Sequence, residues 1–259
     1  MTALDKKQVA ASFGRAASSY DNAAHLQRDI GSELLRQIPC DLKPQVVVDL
    51  GCGTGYFSDA LRRRFPAAKI IALDLAEGML QFAQRQRELS AAYLCADAES
   101  LPLQTGCVDL IFSSLAIQWC ENLRVLFSEL QRVLSPNGHA LLATLGPETL
   151  SELRHAWRQV DDYVHVNQFA SNIALTEAIA AENFSSAEIV CETRTLRYEK
   201  LQQLTRELKA IGAHNINRGQ SQGLMGRAGI DKFRSAYETF RSEGKLPATY
   251  EVYYLNLRA

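Results

Sequence analysis

The sequence predicts an α/β protein built on a doubly wound parallel sheet, and three neighbouring observations carry that expectation. Val46, Val47, Val48 and Leu50 form a short apolar run, mostly β-branched, of the kind that makes a buried strand. It ends in Gly51-x-Gly53-x-Gly55, where the backbone can bend tightly and come close to a ligand. Phe57, Ala60, Leu61 and Phe65 then recur at helical spacing until Pro66 stops them, and Ile70 to Leu73 form a second buried strand closing at Asp74. The product is a strand-helix-strand unit with a carboxylate at its second strand tip. An acid about 20 residues beyond such glycines is where open α/β folds hold the ribose hydroxyls of an adenosine group.

The other elements follow in order. Val9, Ala10, Phe13 and Ala17 mark one amphipathic helix, and Leu26, Ile30, Leu34 and Ile38 mark another before Pro39. Strands are expected at 46–50, 70–73, 92–95, 108–113 and 139–145, alternating with helices at 56–65, 77–88 and 122–134. Pro136-Asn137-Gly138 marks a turn before the last of these strands. After Thr144 the alternation loosens. Leu150, Leu153, Trp157 and Val160 make a helical stripe, residues 174–181 another, and 188–196 a strand. Leu201, Leu204, Leu208 and Ile211 give a helix ahead of a polar stretch from Gly212 to Gly229, and a helix with Phe233, Tyr237 and Phe240 leads to a strand at 250–257. The expected organisation is one domain over 1–259, with N-terminal helices in 1–40, a ligand-binding core in 41–147, and final strands with cap segments in 148–259.

Composition narrows the function classes. A formal net charge of -1 argues against a general binder of nucleic acid or of anionic membranes, although a local basic face is compatible with it. Met1 to Gln8 holds no apolar signal core and no apolar run approaches the roughly 20 residues of a membrane span, so the expected location is the cytoplasm. Cysteines at 40, 52, 95, 107, 120 and 191 form no CxxC pair, and the five histidines show no HExxH spacing. No metal site is expected.

The glycine spacing separates two cofactor types. Dinucleotide sites carry GxGxxG so that a helix N-terminus faces a pyrophosphate, whereas this chain has Gly51-x-Gly53-x-Gly55 behind Asp49. That pattern resembles motif I of the class I methyltransferases that use S-adenosylmethionine, and Asp74, Met79 and Asp97-Ala98 recur where that family meets ribose and adenine. The resemblance implies a Rossmann-like, doubly wound seven-stranded sheet with its last strand antiparallel and a helical cap over the pocket. It also implies cofactor contacts from Tyr20, Asp49, Gly51, Cys52, Gly53, Asp74, Leu75, Met79, Asp97, Ala98 and Ser114, with S-adenosylhomocysteine as product. The bland reading is that Asp74 and Asp97 only cap helices; their recurrence at strand ends speaks against it.

Cap motifs narrow the resemblance. Phe13-x-x-Ala16-Ala17-x-x-Tyr20-Asp21, Ser113 to Trp119, Leu145-Gly146-Pro147-x-Thr149-Leu150-x-Glu152-Leu153 and His165-Val166-Asn167-x-Phe169 resemble the malonyl-acyl carrier protein O-methyltransferases of biotin synthesis. Leu208-Lys209-Ala210-Ile211-Gly212-Ala213-x-Asn215 and Gly223-Leu224-Met225-Gly226-Arg227 extend the match over nearly the whole chain. Ala170-Ser171-Asn172-Ile173-Ala174 departs from the more acidic or glycine-containing sequence expected there. The resemblance implies methylation of the free carboxyl of a malonyl thioester on acyl carrier protein or coenzyme A; a monomer is expected. Tyr20, Gln118, Arg154 and His165 are the candidate catalytic residues, Tyr20 on the resemblance, Gln118 from its place at the fourth strand tip and Arg154 as a pairing cation, with Asn167 beside the acceptor.

A malonyl carboxylate is already ionised at neutral pH and needs no base. Buried, it calls for a cation, and arginine's planar fork matches it best. Candidates are Arg15, Arg154, Arg218 and Arg227, with Lys209 weaker; Arg154, beside Leu150 and Leu153 after the fifth strand, ranks first. An acidic carrier protein would meet a basic patch, for which Arg206, Lys209, Arg218 and Arg227 lie nearer the cap than Arg62-Arg63-Arg64. Alternatives are methyl transfer to another small carboxylate or to a lipid or quinone acceptor, a non-catalytic adenosine-cofactor sensor and a nicotinamide oxidoreductase. A buried cation in the cap would favour a carboxylate, and an all-apolar cap a lipid.

Overall fold

The computed structural model describes residues 5–87, 91–213 and 226–259. Glu88, at the end of an expected helix, and Asn215, Arg218, Gly223, Leu224 and Met225 lie outside the described residues, as do Met1 to Leu4 and most of the polar stretch after Gly212.

Seven strands, β1 (Val46–Leu50), β2 (Lys69–Asp74), β3 (Ala91–Cys95), β4 (Val108–Ser114), β5 (Leu134–Leu145), β6 (Ser186–Tyr198) and β7 (Leu246–Arg258), form one sheet in the order β3-β2-β1-β4-β5-β7-β6. The first five pair in parallel, and β7 runs antiparallel to both β5 and β6. Alternate residues of the central strands enter opposite layers. Val47, Leu110 and Leu141 pack beneath α2 (His25–Arg36) and α3 (Tyr56–Arg64), whereas Val48, Ile111 and Leu142 pack beneath α5 (Leu123–Val133) and α7 (Asn172–Ala180). With both faces covered, the strands can be apolar throughout, as the sequence shows. Strand order reverses between β1 and β4, so the crevice at their carboxyl ends is the natural ligand site.

One expected turn is absorbed into a strand. β5 begins at Leu134 rather than at residue 139, because Leu134 pairs with Val108 and His139 with Leu110, leaving Pro136-Asn137-Gly138 as a bulge with Asn137 at φ 65°.

The cap over the carboxyl edge comes from both ends of the chain: α1 (Lys6–Ala23) on one side, and α6 (Ser151–Arg158), α8 (Leu201–Ala210) and α9 (Arg227–Glu238) on the other. Asp5 caps α1 by accepting from Lys7 N at 3.0 Å and Gln8 N at 3.3 Å. α1 crosses α4 (Glu77–Gln86) where Gly14 meets Gly78; a Cβ on Gly78 would sit 2.9 Å from the Gly14 Cα, so the close crossing requires glycine. Ser12 and Ser19 hydroxyls donate to the Gly212 and Ala210 carbonyls at 3.1 and 2.8 Å, fastening α1 to the end of α8. No helix among the described residues is long and apolar enough to cross a membrane.

Candidate active site

Between the end of β1 and the start of α3 the chain reverses through Gly51 and Gly53, both at positive φ. The N–H groups of Gly51 and Cys52 donate to the Leu73 carbonyl at 2.7 and 3.0 Å, which seats the loop on the tip of β2. Asp74 completes the seat: one oxygen accepts from Gly53 N at 2.8 Å, the other from Ala76 N at 2.7 Å. Each oxygen keeps a further lone pair for a ligand hydroxyl. No atom lies within 4 Å of where a Gly53 side chain would sit, so the backbone there is open to a ligand. Burial raises the Asp74 carboxyl above its ordinary value, opposed by its Ala76 and Gly53 N–H donors.

Three neighbouring cavities lie in this region, two of them against the loop. The first, about 100 Å³, is walled by Gly51, Gly53, Asp74, Leu75, Met79, Asp97, Ala98 and Ser114, with Lys6, Phe13 and Tyr20 from α1. The second, about 250 Å³, lies under the cap among Gln27, Gln118, Leu150, Leu153, Trp157, His165, Phe169 and Leu208. The third, about 50 Å³, lies between the glycine loop and the start of α2, against Asp21, Gln27, Arg28, Cys52, Thr54 and Ser114. Tyr20 lines all three. Leu115 and Trp119 separate the first from the second.

Most of the expected cofactor residues therefore gather around one space. Asp97 does so with its carboxylate engaged, by Lys6 Nζ at 2.6 Å and Glu99 N at 3.0 Å. Ser114 Oγ is buried with no hydrogen-bond partner among the described residues. Asp49 takes a different place: it is 2% exposed, beneath the loop and outside all three cavities, accepting from Ser58 Oγ at 2.5 Å. Burial pushes its carboxyl up to about 7, with the Ser58 hydroxyl opposing and Asp74 adding to the rise.

On the acceptor side Tyr20, Gln118 and His165 meet at the second cavity, and Arg154 does not. Arg154 donates to the Pro147 and Thr149 carbonyls at 2.8 and 3.0 Å, because the loop entering α6 leaves those acceptors free beside it. It is a loop fastener, and the expected guanidinium fork on the substrate is corrected. Arg15, Lys209 and Arg227 are exposed, and among the described residues lining this cavity there is no Lys or Arg. Gln118 Nε2 donates to the Leu115 carbonyl at 2.8 Å, and its Oε1 accepts from Thr144 Oγ1 at 3.4 Å. His165 stacks on Trp157 with centroids 3.9 Å apart and bonds Asp161 through Nε2 at 2.7 Å. Burial, reinforced by Asp74 and Asp21, drives the Tyr20 phenol well above its ordinary range, so it stays protonated at neutral pH.

Sequence reasoning missed the latch that places Tyr20. Asp21 accepts from Thr54 Oγ1 at 2.6 Å and Arg87 Nη2 at 2.7 Å, tying the end of α1 to the glycine loop, and Arg28 and Arg87 both lie over the Tyr56 ring. Asp21 stood inside a quoted motif, but its partners are 33 and 66 residues away.

The residues fit S-adenosylmethionine. Asp74 offers spare acceptors for two ribose hydroxyls, Leu75, Met79 and Ala98 an apolar slot for adenine, and orphaned Ser114 Oγ a polar contact near the amino-acid end. Asp21 and Asp74 place negative charge at Tyr20, on the wall of this space, which suits a positively charged ligand.

Comparison with known proteins agrees. Residues 48–142 match the family model described as a methyltransferase domain. The fold is that of YcgJ from Bacillus subtilis (TM-score 0.62, 15% identity, 89% of this chain and 97% of that one) and of an S-adenosylmethionine-dependent methyltransferase from Mesorhizobium loti (TM-score 0.52, 20% identity, 88% and 96%). Fold and site thus define a class I methyltransferase dependent on S-adenosylmethionine. The chain is 43% identical to the malonyl-[acyl-carrier protein] O-methyltransferase of a Methylovorus species, over 97% of this chain and 88% of that protein. It is 51% identical to the biotin biosynthesis bifunctional protein BioHC of Cellvibrio japonicus, spanning 99% of this chain and 51% of that longer protein. The chain belongs to the malonyl-[acyl-carrier protein] O-methyltransferase family.

Two outcomes follow. Asp74→Ala removes both the ribose acceptors and the clamp on Gly53, and S-adenosylmethionine affinity should fall by about 2–4 kcal/mol, hydrogen bonds to a charged group being worth about 1.5–3 kcal/mol each before compensation. Calorimetry on the folded variant showing parental affinity would refute the ribose role. Asp49 has a folded pKa of about 7 against an ordinary 3.8, so between those values the native state holds a proton that the unfolded chain has lost. Its stabilising contribution is full below about pH 4 and is lost as pH rises through 7, with a slope of up to about 1.4 kcal/mol per pH unit. Urea melts of Asp49→Asn from pH 4 to 8 should therefore show a shallower decline than the parent; parallel curves would exclude this titration.

Proposed function

We propose that the protein methylates the free carboxyl of a malonyl thioester carried on acyl carrier protein, producing a methyl ester and S-adenosylhomocysteine. The observation that carries this reading, together with family membership, is a substrate cavity opposite the cofactor space whose shared wall, Tyr20, is a phenol held protonated. Tyr20 offers no base where the two spaces meet, which suits an acceptor that arrives already ionised, as a carboxylate does at neutral pH. Bound S-adenosylmethionine supplies an electrophilic methyl group on a positively charged sulfur. The chain's residues do the rest by placement. Asp74 fixes the ribose and Tyr20 bounds the space where the two substrates meet. Leu150, Leu153, Trp157 and Phe169 keep water from competing. A carboxylate oxygen then forms the O–CH₃ bond as the S–CH₃ bond breaks, and no proton moves.

Exposed Arg206, Lys209 and Arg227, on the cap helices beside this cavity, supply positive charge for an acidic carrier protein, and we place the enzyme in the cytoplasm where that carrier would meet it. The absence of Lys and Arg among the described lining residues, with the apolar walls, is what a lipid or quinone acceptor would favour. Gln27, Thr149, His165 and Asn167 in the same lining weigh towards a small polar one.

The reading is tested with the labelled cofactor and three acceptors. Malonyl-acyl carrier protein should take up label as a base-labile ester, while acetyl-acyl carrier protein, which has no carboxylate, should take up none. Label in a demethyl quinone and none in the malonyl carrier would replace the proposal by the lipid reading.

A further inference from the structure

We infer that Gln27 receives the acceptor carboxylate, holding one of its oxygens while the other faces the methyl group; this rests on the carboxylate reading above. Gln27 stands in the first turn of α2 and lines both the large cavity under the cap and the small one beside the glycine loop. It therefore sits where acceptor space meets cofactor space, next to Tyr20. Its Oε1 is buried with no hydrogen-bond partner among the described residues. A buried amide atom left unpaired is costly, and because a half-turn of the amide exchanges its oxygen and nitrogen, the same place can present a donor to a ligand. Four other polar side chains of that wall are engaged within the chain. Gln118 bonds Leu115 and Thr144, His165 bonds Asp161, Thr149 bonds the Glu251 carbonyl, and Thr205 bonds the Gln202 carbonyl.

The chemistry suits the task. A carboxamide turned about its last bond offers two N–H donors to an anion without neutralising it. A guanidinium fork would occupy both carboxylate oxygens and draw off the electron density needed for attack. One neutral donor leaves an oxygen free, and the balancing charge is that of the sulfonium.

The test measures binding of malonyl-pantetheine and acetyl-pantetheine by calorimetry to the full chain saturated with sinefungin, an unreactive cofactor analogue that keeps a positive charge beside the sulfur's place, in the parent, Gln27→Met and Gln27→Glu; S-adenosylhomocysteine affinity is measured separately. Gln27→Met keeps length and removes the donors; Gln27→Glu is near-isosteric and opposes the carboxylate with a second one. The expected result is at least a tenfold loss of malonyl affinity in both variants, an unchanged acetyl affinity, and S-adenosylhomocysteine affinity within twofold of the parent. If the parent prefers malonyl and either folded variant keeps that preference, Gln27 is not the receiver and the carboxylate reading stands. If the parent binds malonyl no better than acetyl, the carboxylate reading itself falls and the inference with it.

Discussion

The site depends on one carboxylate with two backbone partners. Asp74 closes β2, and by accepting from Gly53 N and Ala76 N it sets the glycine loop and the entry to α4 at once. Both oxygens are thus oriented before any ligand arrives, their remaining lone pairs directed by the bonds already made. Preorganisation of this kind spares the binding step the entropy of ordering the loop. It also fixes where α1 can lie, because α1 rests on α4 at the Gly14–Gly78 crossing and is latched to the glycine loop through Asp21 and Thr54. Tyr20 takes its place among three cavities as a result.

Chemistry and electrostatics then agree. Methyl transfer to a carboxylate moves no proton, and the buried titratable groups here are kept from supplying or taking one from the substrate. Tyr20 is held as the phenol, and Asp49, set beneath the loop, is shielded from the substrate spaces. Orientation and dryness account for the rate in such a site, and the apolar cap supplies both.

The sheet was legible in the sequence because strands buried on both faces are continuous apolar runs punctuated by Gly, Pro and Asp; the strands from Val46 onwards and the reversal at β1/β4 follow from that pattern. The cofactor wall was legible for a related reason, since Gly51, Gly53, Asp74 and Met79 lie within one strand-helix-strand unit and its succeeding turn. The acceptor wall was not. Its members come from α1, α2, α6, α8 and the loop before α7, so no local spacing joins them. Arg154 illustrates the cost. Position and charge pointed to the substrate, yet two loop carbonyls claim its guanidinium. Gln27 shows the reverse, an unremarkable residue on an amphipathic helix whose significance is visible only when its amide oxygen is found without a partner among the described residues. β5 began early for a similar reason, a proline-glycine signal being compatible with a bulge as well as with a turn.

Cofactor and acceptor should occupy separate cavities that meet at Tyr20. The most direct measurement is a crystal structure of the chain with S-adenosylhomocysteine and a malonyl thioester. The account predicts the ribose on Asp74, the thioether sulfur beside Tyr20, and the malonyl group in the cavity bounded by Leu153, Trp157 and Phe169. Adenosine bound away from Asp74, or an acyl chain entering on the far side of Leu115 and Trp119, would contradict it.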